Sequence, residues 1–191
     1  RGEVNKREFR EFWLPLRGHL LVAGLRRVHR PLRRAVDGRH RARVIHHLSL
    51  PATDTRHVAE VLVELFDGVL TAFGPYRDSW IAWAADDAGT AIEVYPVGTE
   101  MVPPDGPGQA EFRHEPTASR FVATHATVSV DRTVEEIQAL AAREGWRAVQ
   151  LSRGPHDVVE LWIENAVMLE VMTPEMTAAY LAARPRRPGA G

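Results

Sequence analysis

Apolar and polar positions along the chain form two similar series separated by a Pro/Gly-rich stretch. In the first series Val44-Ile45-His46-His47-Leu48-Ser49-Leu50 has strand character, and Pro51 is expected to end it. Thr53 or Asp54 can cap a helix from about Thr55 to Phe66, whose Val58, Leu62, Leu65 and Phe66 recur at helical spacing. Asp67-Gly68 reads as a turn. Val69–Phe73, Ser79–Ala84 and Ala91–Tyr95 read as three more strands, separated by Gly74-Pro75 and by Asp86-Asp87-Ala88-Gly89. The second series repeats this order. Phe121–Val130 is a strand, Asp131 or Thr133 can cap a helix from Val134 to Arg143, and Gly145 ends that helix. Trp146–Leu151, Val158–Ile163 and Ala166–Met172 are strands, with Gly154-Pro155 and Glu164-Asn165 as turns. An internal repeat constrains a fold more than local propensity does. The pattern predicts an α+β chain of two βαβββ modules, over residues 44–97 and 121–175.

The flanking segments have their own patterns. Residues 98–120, with Pro103-Pro104, Gly106-Pro107-Gly108 and Pro116, read as a linker that makes neither a helix nor a central strand. Residues 1–43 read as a basic helical arm. Its helix is expected over 5–36, with Asn5 and Glu8 as a capping pair and Leu21, Leu25, Val28, Leu32 and Ala35 as a stripe. Residues 176–191 read as a C-terminal helical turn and a flexible tail.

Charge separates the arm from the modules. Residues 1–43 carry 13 Lys and Arg against 4 Asp and Glu, whereas the remainder carries 11 against 21. A basic amphipathic arm can serve nucleic acid, an anionic membrane or an acidic partner. The arm has no nucleic-acid-binding motif, so its arginines are read as a solvated face. No apolar run approaches the ~20 residues of a membrane-spanning helix. The chain opens on Arg1-Gly2-Glu3 without an initiator Met, which leaves an upstream signal or anchor open. With no cysteine in 191 residues, disulfides, a thiolate nucleophile and thiolate metal ligands are excluded within this chain. A cytoplasmic location is expected.

Candidate chemistry comes from a spacing that occurs twice. Glu93 follows His47 by 46 residues, and Glu170 follows His125 by 45. Strand alternation puts His47 on the face of Ile45 and Ser49, and His125 on the face of Ala123, Thr127 and Ser129, away from each module's helix. Glu93 shares its face with Ala91 and Tyr95, and Glu170 shares its face with Met168 and Met172. A carboxylate in the middle of an apolar strand is costly unless it is paired or metal-bound. His47, Glu93, His125 and Glu170 are therefore the expected ligands of one divalent ion. Imidazole and carboxylate without sulfur suit Zn, Ni, Co, Fe or Mn. His46 competes with His47, because a one-residue shift of register exchanges their faces. Arg77, Arg120 and Arg153 are candidate anion contacts. Trp80, Trp83, Trp162 and Tyr95 are candidate cavity walls.

The stretches I-H-H-L-S-L-P-A-T-D, G-T-A-I-E-V-Y-P, T-H-A-T-V-S-V-D and A-V-M-L-E-V-M resemble the vicinal oxygen chelate superfamily over about residues 44–173. That superfamily includes glyoxalase I, methylmalonyl-CoA epimerase, extradiol dioxygenases, and fosfomycin and bleomycin resistance proteins. The resemblance implies that the two modules form a curled mixed sheet around a central cavity, with metal ligands at His47, Glu93, His125 and Glu170. It implies a metal-dependent lyase or isomerase that moves a proton next to a carbonyl of a small metal-chelating substrate. Glu170 would be the base, and Glu93 a ligand or second proton carrier. The alternatives are an Fe(II) extradiol-type dioxygenase and a non-enzymatic small-molecule binder of the bleomycin-resistance kind. A small-molecule substrate and a homodimer are expected, and no nucleic acid. Glyoxalase I's glutathione-binding residues have no clear counterpart here, and the basic arm is unmatched.

Overall fold

A computed structural model describes residues 45–183. The helix expected over 5–36, Val44 of the expected first strand and the tail from residue 184 lie outside the described residues.

The first module runs β1 (His47–Ala52), α1 (Thr55–Leu65), β2 (Val69–Ala72), β3 (Trp80–Trp83) and β4 (Ala91–Pro96). Its four strands form a mixed sheet in the order β1-β4-β3-β2, with β1 and β4 parallel. A two-stranded hairpin follows, β5 (Thr99–Val102) with β6 (Glu111–His114). The second module runs β7 (Ala126–Ser129), α2 (Val134–Glu144), β8 (Arg147–Ser152), β9 (Asp157–Ile163) and β10 (Val167–Met172), in the sheet order β7-β10-β9-β8. The last helix among the described residues is α3 (Pro174–Ala183). Both modules are βαβββ units with the same strand order, as the repeat predicts.

Each helix forms where its signals agree. Asp54 caps α1, its side chain accepting from the backbone N–H of His57 at 3.1 Å. Thr133, rather than Asp131, caps α2 in a reciprocal box with Glu136, and Gly145 ends it in the left-handed conformation at φ +70°. The apolar stripe of α1 (Val58, Leu62, Leu65) packs on Leu50, Ala52, Ala82, Ile92 and Val94, and Ile137 and Leu140 of α2 join the same core with Leu161, Ile163, Leu169 and Val171. The helix-facing sides of both sheets thus share one hydrophobic core.

Three expectations need correction. Pro51 does not end β1; it lies inside it, opposite Tyr95. It is tolerated because β1 has only one sheet neighbour, so a missing N–H can face outward. The strand expected over Phe121–Val130 is only Ala126–Ser129, and Phe121 and Val122 are exposed. The segment read as a linker carries the β5–β6 hairpin, which lies in a sheet of its own.

The two modules are clamped together on the helix side. Arg143 of α2 donates through both Nη atoms to Glu64 of α1, at 2.9 and 2.7 Å. Arg132 donates to the Glu64 carbonyl at 2.8 Å and to Asp67, and His57 Nε2 lies 2.6 Å from Glu144. The β9–β10 turn carries positive φ at both central residues, Glu164 and Asn165. Left-handed residues of this kind are common in tight hairpin connections. Here the turn also aims Glu164 at the start of α1, where its carboxylate accepts from the N–H groups of Thr53 (2.7 Å) and Asp54 (2.8 Å). Among the described residues no helix is long and apolar enough to cross a membrane.

Glu164→Ala removes both acceptors and is expected to cost about 1–2 kcal/mol of stability, the usual scale for losing a helix N-terminal acceptor. Urea unfolding of the variant checks this, and an unchanged midpoint would contradict it.

Candidate functional site

Parallel pairing of the first and last strand sets the site's geometry in both modules. Ser49 stands opposite Glu93, and Thr127 stands opposite Glu170. In each case the hydroxyl donates to the carboxylate: Ser49 Oγ to Glu93 Oε2 at 3.0 Å, and Thr127 Oγ1 to Glu170 Oε2 at 2.8 Å. His47 and His125 each lie two residues before that hydroxyl. The register therefore makes His47 the counterpart of His125. His46 lies apart from Glu93, its Nδ1 donating to the carbonyl of Ala88 at 2.7 Å.

The two carboxylates have different surroundings. Glu93 is mostly buried, with a side-chain exposure of 13%, and its Oε2 also accepts from the Tyr95 hydroxyl at 2.9 Å. Its Oε1 lies 3.8 Å from Nε2 of the more exposed His47. Burial pushes the Tyr95 phenol well above its ordinary value of 10, and the charge of Glu93 and its hydrogen bond push it further. Tyr95 also joins an aromatic cluster with Phe73, Tyr76 and Phe112. Phe112 reaches it from the hairpin, stacking on Tyr95 with ring centroids 5.7 Å apart.

Glu170 is held by a cation. Arg153 donates from Nε to Glu170 Oε1 at 2.9 Å and from Nη2 to Glu160 Oε1 at 2.7 Å. Glu160 stands directly opposite Glu170 in the β9–β10 ladder and also accepts from Arg147 (3.3 Å) and Trp162 Nε1 (3.2 Å). Burial alone would raise the Glu170 carboxyl. Hydrogen bonds from Thr127 and Arg153, with the charges of Arg153 and His125, outweigh burial and hold it below the ordinary 4.5. The Arg153 hydrogen bond likewise holds Glu160 below that value, against the opposing effect of burial. His125 sits just before β7, exposed, with Nδ1 3.4 Å from the carbonyl of Ala123.

The structure thus brings His47 to Glu93, and it ties Glu170 to Thr127 and Arg153. Among the described residues, no group of three or more His, Asp or Glu side chains is placed to hold an ion. The gap where the modules' first strands meet, lined by residues including Ser49, Ile92, His125 and Met168, measures about 20 Å³. That is room for about one water, far below the ~300 Å³ or more of a small-molecule pocket. The larger cleft of about 380 Å³ lies between α1 and α2 and holds none of the four expected ligands. The donors nevertheless suit a divalent cation in kind, one imidazole and one carboxylate per module. At Glu170 a guanidinium already stands where a cation would be held.

Other expected residues divide. Trp83 and Trp162 lie on the carboxylate face, since they share strand faces with Ile81 and Glu160, the partners of Glu93 and Glu170. Trp80 does not: it is on the opposite face, packed against the core with the Arg56 guanidinium 5.2 Å over its ring. Arg120 lies 3.8 Å from Glu164, Arg77 is exposed beside Asp78, and only Arg153 reaches an expected ligand. Sequence reasoning missed Glu160. Its setting between Val159 and Leu161 carries the same signal that singled out Glu93.

No family model matches the chain, and no curated protein matches it. Solved structures are similar at low identity. A glyoxylase/bleomycin resistance protein/dioxygenase domain from Frankia sp. EAN1pec is 13% identical, with a TM-score of 0.45 over 70% of this chain and 98% of that one. Lactoylglutathione lyase from Agrobacterium tumefaciens is 13% identical, with a TM-score of 0.46 over 69% and 94%. The fosfomycin resistance protein FosX from Listeria monocytogenes, complexed with Mn(II) and sulfate, is 10% identical, with a TM-score of 0.45 over 76% and 100%. What defines the fold is the strand order of the chain's own two modules.

The raised phenol pKa has a fixed sign. Its contribution to stability is complete below pH 10 and is lost as pH rises toward the folded-state value. In a phenolate absorbance titration Tyr95 is expected to stay protonated until the protein unfolds. Tyr95→Phe should lower by one the number of phenols released in that unfolding step. An unchanged count would show that Tyr95 titrates freely in the folded protein.

Proposed function

We propose that the chain is a divalent-metal-dependent enzyme of the glyoxalase-like type, a lyase or isomerase that moves a proton next to a carbonyl of a small substrate. The observation that carries this reading is the duplicated arrangement of His47, Ser49 and Glu93 in one sheet and His125, Thr127 and Glu170 in the other. A fold that twice sets a mostly buried carboxylate beside an orienting hydroxyl, with an imidazole two residues upstream, is suited to cation binding.

Among the described residues no three His, Asp or Glu side chains gather, and the gap at the module junction has room for about one water. We therefore place the complete site across a two-fold dimer, the first module of one protomer facing the second module of its partner. Two-fold pairing of this kind makes two equivalent sites from two pairs of half-sites. When bound, a divalent ion would supply Lewis-acid polarisation of substrate oxygens. His47 and Glu93 from one chain, with His125 and Glu170 from the other, would hold it. Ser49 and Tyr95 fix the Glu93 carboxylate so that Oε1 faces His47. The proton carrier is a carboxylate of this set. Glu170 can serve only when Arg153 leaves it, because an ion-paired carboxylate of lowered pKa is a weak base.

One observation favours a second reading. With Arg153 kept on Glu170, the fold would act as a small-molecule binder without a metal.

Metal analysis of protein purified without chelator is expected to show one divalent ion per chain, with the protein dimeric by light scattering. Glu93→Ala and His125→Ala should each reduce the bound metal at least ~10-fold, the scale on which losing even a residue that only orients a ligand weakens a metal site. A metal-free wild-type protein that also fails to take up added Zn, Ni, Co, Fe or Mn would end this reading in favour of the second.

A further inference from the structure

The two equivalent carboxylates are compensated to different degrees. Glu170 carries a guanidinium, since Arg153 donates to its Oε1 at 2.9 Å. Glu93 has no such partner. Its hydrogen-bond donors among the described residues are the hydroxyls of Ser49 (3.0 Å) and Tyr95 (2.9 Å), both neutral and both on Oε2. Oε1 accepts no hydrogen bond from the described residues, although the Glu93 side chain is only 13% exposed. The one basic nitrogen of the described residues within 4 Å is Nε2 of His47, at 3.8 Å, which is too far for a hydrogen bond.

The surroundings of Oε1 differ from side to side. Toward solvent stands the His47 side chain, 58% exposed at the start of β1, so a visiting group reaches Oε1 past the imidazole. Behind the carboxylate are rings. Tyr95 packs with Phe73, Tyr76 and Phe112, and Trp83 lies on the same face of the neighbouring strand with its N–H spent on Thr71. Ring faces are electron-rich and add to the negative potential beside a carboxylate.

A mostly buried carboxylate without a cation is unfavourable, so the group that fits brings one positive charge and N–H donors. Within one chain a metal ion would find too few ligands here. An ammonium group needs only acceptors. Its three N–H groups can reach Oε1 and the Nε2 lone pair together, which closes the 3.8 Å gap.

We infer that Glu93 Oε1 is the binding point for the primary ammonium group of an organic ligand, with His47 Nε2 as its second acceptor. One positive charge meets one negative charge, and the filled site is neutral. The inference goes beyond the metal reading: it uses the first module alone and needs neither a metal nor a second chain.

Calorimetric titration in excess chelator keeps metal out of the comparison, with benzylamine as the probe. Wild-type protein is expected to bind one benzylamine per chain. Benzyl alcohol lacks the charge, and benzyltrimethylammonium has the charge without an N–H. Each should bind at least about tenfold more weakly than benzylamine. Glu93→Gln keeps an acceptor for Ser49 and Tyr95 but removes the charge, and it should weaken benzylamine at least about tenfold. Thermal unfolding establishes that the variant is folded, and the three probes on wild-type protein test the inference without it. No benzylamine binding by wild type would overturn the inference. So would benzyl alcohol or benzyltrimethylammonium binding as tightly as benzylamine, or unchanged benzylamine binding in folded Glu93→Gln.

Discussion

Parallel pairing of the first and last strand of each module is the constraint from which the rest follows. It brings together residues more than forty positions apart, and it does so in one register, hydroxyl opposite carboxylate. Because side chains alternate along a strand, the same register sends Leu50, Ile92 and Val94 to the helix and Ser49, Glu93 and Tyr95 to the other side. A slip of one residue would bury a carboxylate in the core and expose the core's leucines and valines. Packing on α1 and α2 therefore guards the geometry of a face those helices never touch.

The modules share a scaffold and differ in what they set around its carboxylate. In the first, Glu93 meets two neutral hydroxyls and an aromatic cluster. In the second, Glu170 meets a hydroxyl, a guanidinium and a second carboxylate. Neutral donors orient Glu93 without compensating its charge. Ionic donors compensate Glu170 and lower its basicity. Two sites of common architecture thereby acquire unequal chemistry from one or two neighbouring side chains.

Much of this is legible along the chain, for a physical reason. Period-two and helical patterns report which side chain faces the core, so the module order, both helices and the shared face of Ser49, Glu93 and Tyr95 could be read from them. Patterns do not report partners. Glu160 carries the same apolar-strand signal as Glu93, yet nothing local shows that Arg153, seven residues earlier across the β8–β9 turn, will bridge it to Glu170. Pro51 misleads because its cost depends on whether the strand is an edge, which is a property of the sheet. Trp80 misleads because its face depends on the start of β3, and strand ends are set by pairing. Phe121 and Val122 misread as strand because apolar character is all that sequence offers there, while the ladder begins only at Ala126.

The β5–β6 hairpin follows only the first module among the described residues, with Phe112 laid against Tyr95. Duplicated halves would otherwise be interchangeable. An aromatic neighbour over one carboxylate and a guanidinium on the other give the molecule polarity: Glu93 sits beside the ring cluster of Tyr95 and Phe112, whereas Glu170 sits beside Arg153. Shape therefore dominates the surroundings of one carboxylate and electrostatics those of the other.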